Sequence, residues 1–444
     1  MFNELFVHLE AINDFIWGYV AFLLITLLGI YFTLRSGFFQ IRKFIPTFKT
    51  FMALRTHKKQ ERGMHPIKTF YAAIGGCIGI GNIVGICTAV QIGGPGALFW
   101  TWIAGFLGML IQYSEVFLGM RYREKNDQGS YDGGPMYFLP KAYRGNWVAI
   151  LVSLLLCIYG VEVFMFNVMA DSIAVNWHIN KVLVVGVLLA AVLVVTFGGI
   201  QRVGMVCSKV IPAFIILYLG MGFWVLFLHG PEIPGIVSMI FKGAFTHQAA
   251  IGGFAGSSVI LAISMGLSRG AYSGDIGVGY MSIIHSESSE QNHSKQASLA
   301  IMVIFIDIFI VCTMSILLAL VTGKWHSSPD VTLMVQDALG MHFPYMDVFM
   351  PFFLFLLGYT TIIAYFAVGV KCARFISAKQ GPRLYYALGC TALVVFAFVG
   401  PEQAFVVMSL SGAALLILNL IGIFLLRKEI KFKVTQVLEK NIDS

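Results

Sequence analysis

Eleven apolar runs of membrane-spanning length follow one another along the chain, near residues 15–34, 67–91, 97–119, 147–175, 182–197, 208–229, 252–284, 299–322, 348–370, 384–400 and 404–426. A helix needs about twenty predominantly apolar residues to cross a bilayer. The pattern therefore predicts an all-α membrane protein with eleven spans, of which 182–197 and 384–400 are the shortest. No soluble domain fits between the runs. Two runs are interrupted from within. Gly75-Gly76-Cys77-Ile78-Gly79-Ile80-Gly81-Asn82-Ile83-Val84-Gly85 carries five glycines in eleven residues, and Ser273-Gly274-Asp275-Ile276-Gly277-Val278-Gly279 repeats the motif in a later run. Each interior glycine weakens a helix by about 1 kcal/mol relative to alanine. Non-helical backbone at membrane depth persists only where protein or an aqueous cavity satisfies it. Such breaks at matching places in two halves of a chain point to a transporter binding site.

Polar positions between the runs set the expected topology. The loop after the first run holds Arg35, Arg42, Lys43, Lys49, Arg55, Lys58, Lys59, Arg62 and Lys68, whereas the segment before it holds Glu4, Glu10 and Asp14 and no base. The positive-inside rule then puts the N-terminus outside and that loop in the cytoplasm. Eleven spans leave only Lys181, Lys242 and Lys324 outside and Arg269 within a span, so 26 of the 30 Lys and Arg residues are cytoplasmic. With the first span set aside, ten remain as five and five, and an odd number per half makes the halves insert with opposite orientation. The expected organisation is an external N-terminus and extra span over 1–34 and a basic cytoplasmic loop over 35–66. A first five-helix repeat over 67–229, an external connector over 230–251, a second repeat over 252–426 and a cytoplasmic tail over 427–444 complete it.

Composition agrees. The chain is 58% apolar and 12% charged, with a mean hydropathy of +0.81, whereas soluble domains carry about 25% charged residues. The net charge of +8 follows the topology and suits anionic lipid, so a nucleic-acid partner is excluded and no protein partner is predicted. The acidic leading flank and the lack of a small-residue cleavage site argue that the first run is a span, not a signal peptide. Seven cysteines without metal-like spacing read as packing residues. No HExxH or paired-carboxylate spacing suggests an enzyme.

The breaks carry the candidate chemistry. The first broken span enters from the cytoplasm, so its outer half begins near Asn82 and aims the amides of Gly81 to Val84 at the midplane, where they suit a carboxylate. The second enters from outside and ends its outer half near Tyr272 and Ser273, whose carbonyls suit an ammonium or Na⁺. Together they frame a zwitterionic amino acid. The rival reading of the glycines is close helix packing through small residues. Thr360 and Thr361, with carbonyls near Gly75 and Ile78, form a candidate Na⁺ site, although threonines in spans also bond their own backbone. Among the intramembrane charges Glu115, Glu162, Asp171, Arg269, Asp275 and Asp307, Arg269 is expected to pair with Asp275 or Asp307, and Glu115 to snorkel to the cytoplasmic surface. Asp275 is the first candidate for coupling, as an ion ligand or as a titrating group with H⁺ as the coupling ion.

The motifs also resemble a known family. Gly79-Ile80-Gly81-Asn82-Ile83-Val84-Gly85, Gly93-Gly94-Pro95-Gly96, Gly133-Gly134-Pro135-Met136-Tyr137, Gly198-Gly199-Ile200-Gln201-Arg202-Val203-Gly204, Ser268-Arg269-Gly270 and Ser273-Gly274-Asp275-Ile276-Gly277 are similar to blocks of the alanine or glycine:cation symporters, over roughly residues 15 to 426. The resemblance implies a leucine-transporter-like 5+5 inverted repeat with an extra N-terminal helix, and sodium-coupled uptake of small neutral amino acids. This chain departs from the family pattern at Ile80, where threonine is usual, and at Gly274-Asp275, where Asn-Glu is usual. It departs again at Met169, Ala364-Tyr365 and Val370, so alanine or glycine preference is not carried over.

The resulting expectation is a symporter of the bacterial inner (plasma) membrane that imports a small neutral amino acid with Na⁺ by alternating access. Gly79, Ile80, Gly81, Asn82, Ile83, Ser273, Gly274, Asp275, Gly277 and Tyr365 would hold the substrate. Gly75, Ile78, Thr360 and Thr361 would hold Na⁺, beside an Arg269–Asp307 charge network. A proton-coupled or non-alanine/glycine carrier of the same fold is the alternative, and a passive channel the rival from another class.

Overall fold

The computed structural model describes residues 2–56, 62–127, 129–246, 259–328, 331–398 and 401–433. Among them the only strands are the two-residue pair β1 (Glu124–Lys125) and β2 (Tyr131–Asp132), antiparallel with Glu124 opposite Asp132. Everything else that is regular is helical.

Helix α1 (Phe6–Arg35) contains a widened π-helical stretch at Ile16–Ala21; there the Gly18 carbonyl accepts the Ser264 hydroxyl at 3.2 Å. Helix α2 (Phe44–Leu54) lies in the basic loop, with Ile45, Phe48 and Met52 exposed beside Lys49, the pattern of a helix lying in the membrane interface. Helix α3 (Pro66–Cys77) starts on a proline at its first position, with the His65 side chain accepting from the Ile67 amide. It is followed at a 62° bend by α4 (Ile80–Gly93). Next come α5 (Ala97–Arg121), α6 (Pro135–Tyr143), α7 (Trp147–Asn176), α8 (Lys181–Thr196), α9 (Gly199–Leu228) and α10 (Ile233–Phe245). The second half holds α11 (Val259–Ser273), α12 (Tyr280–Ser286), α13 (His293–Val321), α14 (Met334–Gly340), α15 (Met346–Ile376), α16 (Gly381–Ala397) and α17 (Pro401–Leu425).

Seven of these (α1, α5, α7, α9, α13, α15 and most of α17) are long and apolar enough to span a bilayer, and the bent pair α3–α4 makes an eighth. The other three expected spans coincide with α8, α16 and the interrupted pair α11–α12; residues 252–258 of the last lie outside the described residues. Helices α8 and α16 have 16 and 17 residues. At 1.5 Å per residue they fall short of a hydrocarbon core of about 30 Å.

Helix α5 is the axis of the bundle, packed against α11, α12 and α13. Small residues allow the approach: a Cβ added at Gly270 of α11 would lie 3.1 Å from Ala104 of α5. Helix α15 packs against α3, α7 and α9. The core therefore closes around α3–α4, α5, α7, α11–α12, α13 and α15, where the two breaks meet.

Candidate functional site

The first break is two residues long. Ile78 leaves the helix with extended backbone (φ −79°, ψ 94°) and Gly79 is extended too (φ −125°, ψ −165°). The Asn82 Oδ1 accepts the Gly79 amide at 2.8 Å, so a 3₁₀ turn starts immediately and the Asn82, Ile83 and Val84 amides bond back to Gly79 and Ile80. This corrects the expected donor set of Gly81 to Val84. The amides of this segment left without an acceptor among the described residues are those of Ile80, Gly81 and, farther along, Gly85. The break is clamped by α13: Asn82 Nδ2 donates to Asp307 at 2.6 Å, and the Ser315 hydroxyl donates to the Asn82 carbonyl at 2.7 Å.

The second break spans 274–279. Asp275 takes left-handed backbone (φ 48°), as do Gly277 and Gly279, a strained conformation for a non-glycine residue. Two residues one turn apart on α5 support it. Gln112 Nε2 donates to the Asp275 carbonyl at 2.8 Å, and Glu115 accepts the amides of Gly279 and Ser282, both at 3.1 Å. Asn419 of α17 bridges them, donating to Glu115 and to the Gly277 carbonyl, each at 2.9 Å. Glu115 is thus fully buried and caps the N-terminus of α12, where its charge meets orphan amides. It does not snorkel as expected, because Gly119, one turn on, is pressed against Ser282 and bars the way to solvent. The Ser273 carbonyl accepts no hydrogen bond among the described residues.

Between the breaks lies a small cavity lined by Gly79, Gly81 and Asn82 from the first and Tyr272, Ser273 and Asp275 from the second, with Thr361 and Tyr365 of α15 and Tyr159 and Glu162 of α7. Its free volume is about 20 Å³, the room of roughly one water molecule. The Tyr159 hydroxyl donates to Asp275 at 2.9 Å. Tyr365 stands edge-on to Tyr159 at 5.3 Å and stacks on Tyr280 at 4.0 Å, with its hydroxyl buried. Of the expected substrate residues, Ile80, Ile83, Gly274 and Gly277 do not line the cavity. Ile80 packs behind it beside Gly358, and Gly277 turns against Leu420.

The expected cation residues assemble in part. The Thr361 hydroxyl donates to the Gly75 carbonyl at 3.3 Å and stands against Gly79, where an added Cβ would lie 2.7 Å from it. Thr360, next to Gly75, bonds its own backbone at Leu357 (2.9 Å). Ile78 lies in extended backbone between Gly75 and Gly79 in sequence.

Arg269 departs from expectation. Its guanidinium lies over the Phe405 ring (5.9 Å) in a separate cavity of about 170 Å³ with Asn13, Asp14 and Trp17 of α1. It pairs with neither Asp275 nor Asp307. Helical side chains lean toward the N-terminus, and α11 runs toward the break, so Arg269 leans away from it. Tyr272 lines both cavities and separates them.

At the other end of α15 a network of charged side chains ties the helices together. Lys371 of α15 donates to Glu287 (2.6 Å) and to the Tyr131 carbonyl (3.0 Å) and pairs with Asp132 (2.8 Å). Arg123 donates to the carbonyls of Ser286, Ser288 and Glu290 and stacks on Tyr131 at 4.0 Å. Burial works against ionisation of Asp132, but Lys371 and Asn126 outweigh it and hold the carboxyl below the usual range.

A sequence profile of the sodium:alanine symporter family matches residues 3–443. The chain belongs to that family. An uncharacterised transporter, YflA, of Bacillus subtilis is 31% identical, over 98% of this chain and 94% of its own. The sodium/alanine symporter AgcS of Methanococcus maripaludis is 29% identical over 94% of both chains, and a probable sodium/glutamine symporter, GlnT, of Bacillus subtilis is 27% identical over 96% and 89%. The fold is shared with a Na⁺-coupled sialic acid symporter solved in a substrate-bound outward-open state, with a TM-score of 0.55 at 10% identity over 93% of this chain and 87% of that one. The chain is thus a multi-pass membrane transporter of the symporter family.

Within this family member, sequence reasoning missed Gln112, Glu115 and Asn419 as supports of the second break, and Tyr159 as a partner of Asp275. It also missed a third interruption, at Gly160–Glu162 inside α7, where Glu162 is left-handed (φ 57°, ψ 42°). The signal was present as polar residues isolated in apolar runs; their depth and partners were not.

Proposed function

We propose that this transporter imports a small neutral amino acid, alanine- or glycine-like, together with Na⁺ by alternating access. The supporting observation is the set of unsatisfied backbone groups and one carboxylate at one buried cavity: the Gly81 amide, with that of Ile80 behind it, on one side, and the Ser273 carbonyl with the Asp275 carboxylate on the other. The first pair suits a carboxylate and the second an ammonium, and their separation by a contracted cavity suits a small cargo. Na⁺ would bind between Gly75, Ile78, Thr360 and Thr361, drawing the Gly75 carbonyl and Thr361 onto the break and ordering the Ile80 and Gly81 amides for the substrate carboxylate.

In this reading α8, α16 and the α11–α12 pair complete eleven spans, arranged as an extra helix followed by two inverted five-helix repeats. The N-terminus faces outside and the tail the cytoplasm of the bacterial inner membrane. The Lys371 and Arg123 network is then the closed inner barrier, and Tyr272 and Tyr365 the groups that must shift to admit cargo.

The test is uptake of labelled alanine, glycine, serine and glutamine into proteoliposomes under an inward Na⁺ gradient, against choline. Accumulation of at least one of them that vanishes in choline is expected. Uptake unchanged by choline would refute Na⁺ coupling, and uptake that follows an imposed proton gradient instead would favour the proton-coupled alternative.

A further inference from the structure

Glu162 is a buried acid with nothing to hold. It is 2% exposed and lines the central cavity, and its Oε2 has no hydrogen-bond partner. The backbone there is strained: a glutamate in the left-handed region separates Trp147–Tyr159 from Val163–Asn176. Such strain is kept where the surroundings over-determine it and clusters at ligand sites. The break aims the side chain at the cavity; continuous helix would have carried it past.

An unpaired carboxylate in the interior is costly and calls for an arriving positive charge. No Lys, Arg or His lines this cavity among the described residues. Asp275 is already engaged by the Tyr159 hydroxyl, and Arg269 lies in the separate cavity beyond Tyr272. The residues lining the cavity that can accept from a cation are therefore Ser273 and Asp275 at the second break and Glu162 from α7. A primary ammonium carries three N–H donors directed apart.

We propose that Glu162 is the third ligand of the cargo's amino group, and that the transporter accordingly selects primary amines over N-methylated ones. This deepens the function proposed above and rests on it. The carboxylate of the cargo would sit at the Ile80 and Gly81 amides, and its ammonium would be enclosed by Ser273, Asp275 and Glu162. An N-methyl group would replace one donor and place a methyl against a carboxylate, leaving that charge unpaired in a dry site.

The experiment has two arms. In the first, purified wild-type protein in Na⁺ is melted with alanine, glycine, serine and glutamine, and then with the N-methyl derivative of whichever stabilises it most. At least tenfold weaker stabilisation by the N-methyl compound is expected; equal stabilisation overturns the proposal. In the second, Glu162→Gln, Glu162→Asp and wild type are reconstituted and KM, maximal rate and Na⁺ half-saturation are compared for that amino acid. Glu162→Gln should raise KM at least tenfold with Na⁺ half-saturation unchanged at saturating amino acid, and Glu162→Asp should recover part of the loss. An unchanged KM overturns the assignment, as does a changed Na⁺ half-saturation with KM intact, which would make Glu162 an ion ligand. If Glu162→Gln does not fold, the first arm decides. A wild type that accumulates none of the four while one of them melts by the expected pattern sinks the transport reading and leaves Glu162 as an amine ligand.

Discussion

At the residue scale, Asn82 does the most with one side chain. It accepts the Gly79 amide and donates to Asp307, so it both starts the 3₁₀ turn and ties it to α13. A hydrogen bond to a charged partner is worth about 1.5–3 kcal/mol. Asn82→Ala should accordingly lower the initial rate of Na⁺-driven uptake by about tenfold or more, with the protein still monodisperse; full activity would show that the tie is dispensable. Cys77 offers a probe, since its buried thiol lines the cavity beside Asp275. In a variant retaining Cys77 as its one cysteine, alkylation should be slow and slower still with Na⁺ and substrate; labelling indifferent to both would place Cys77 outside the transport path. Ser273, Asp275, Gly81 and Asn82 were legible in the sequence because a glycine-rich break in an apolar run announces itself. Arg269 was misjudged because spacing gives the number of turns to the break and not the direction of lean. Glu162 was visible as a charge at membrane depth, but its site role depended on a break marked by only one glycine, Gly160.

At the element scale, each break is held open by a neighbouring continuous helix. Gln112 and Glu115 on α5 satisfy carbonyls on one side of the second break and amides on the other, so α5 acts as a template. Glu115→Ala should remove the cap of α12 and cost about 2–3 kcal/mol, read as a melting temperature lowered by several degrees; no change would contradict the template role. The Lys371 network joins β2, the segment after α12, and α15. Lys371→Ala leaves Glu287 and Asp132 facing one another, and breaking a buried pair costs about 3–5 kcal/mol. Under the topology proposed above, labelling of Cys77 from the cytoplasmic side should then accelerate markedly. Asp132, held below the usual carboxylate range in the folded protein, contributes stability that is fully present above its ordinary value and lost as pH falls through the lowered one. The barrier should therefore be indifferent to pH between 5 and 8 on account of this pair and loosen only in stronger acid. These supports were not legible, because a lone Gln, Glu or Asn in an apolar run has no partner until two helices are packed.

At the scale of the whole molecule, the apolar pattern foretold most of the architecture. Each of the eleven runs carries helix among the described residues, eight of them long and apolar enough to span with the bent pair taken as one, and the two breaks meet at one cavity. The pattern was weakest at α8 and α16, where short runs give helices near the minimum for spanning. The cavity and the proposed ion region share α15, since Thr361 touches the first break through Gly75 and Tyr365 lies one turn along at the cavity. Ion and cargo should therefore bind as linked events, each raising the affinity for the other by the same factor.

Equilibrium binding of labelled alanine to the purified protein, titrated at rising Na⁺ with choline holding ionic strength constant, measures that linkage. Saturating Na⁺ should tighten alanine binding by about tenfold or more, and Thr361→Ala should bring the factor close to one while alanine still binds weakly. An affinity for alanine that is the same in Na⁺ and in choline, with the wild-type protein folded, would contradict the account.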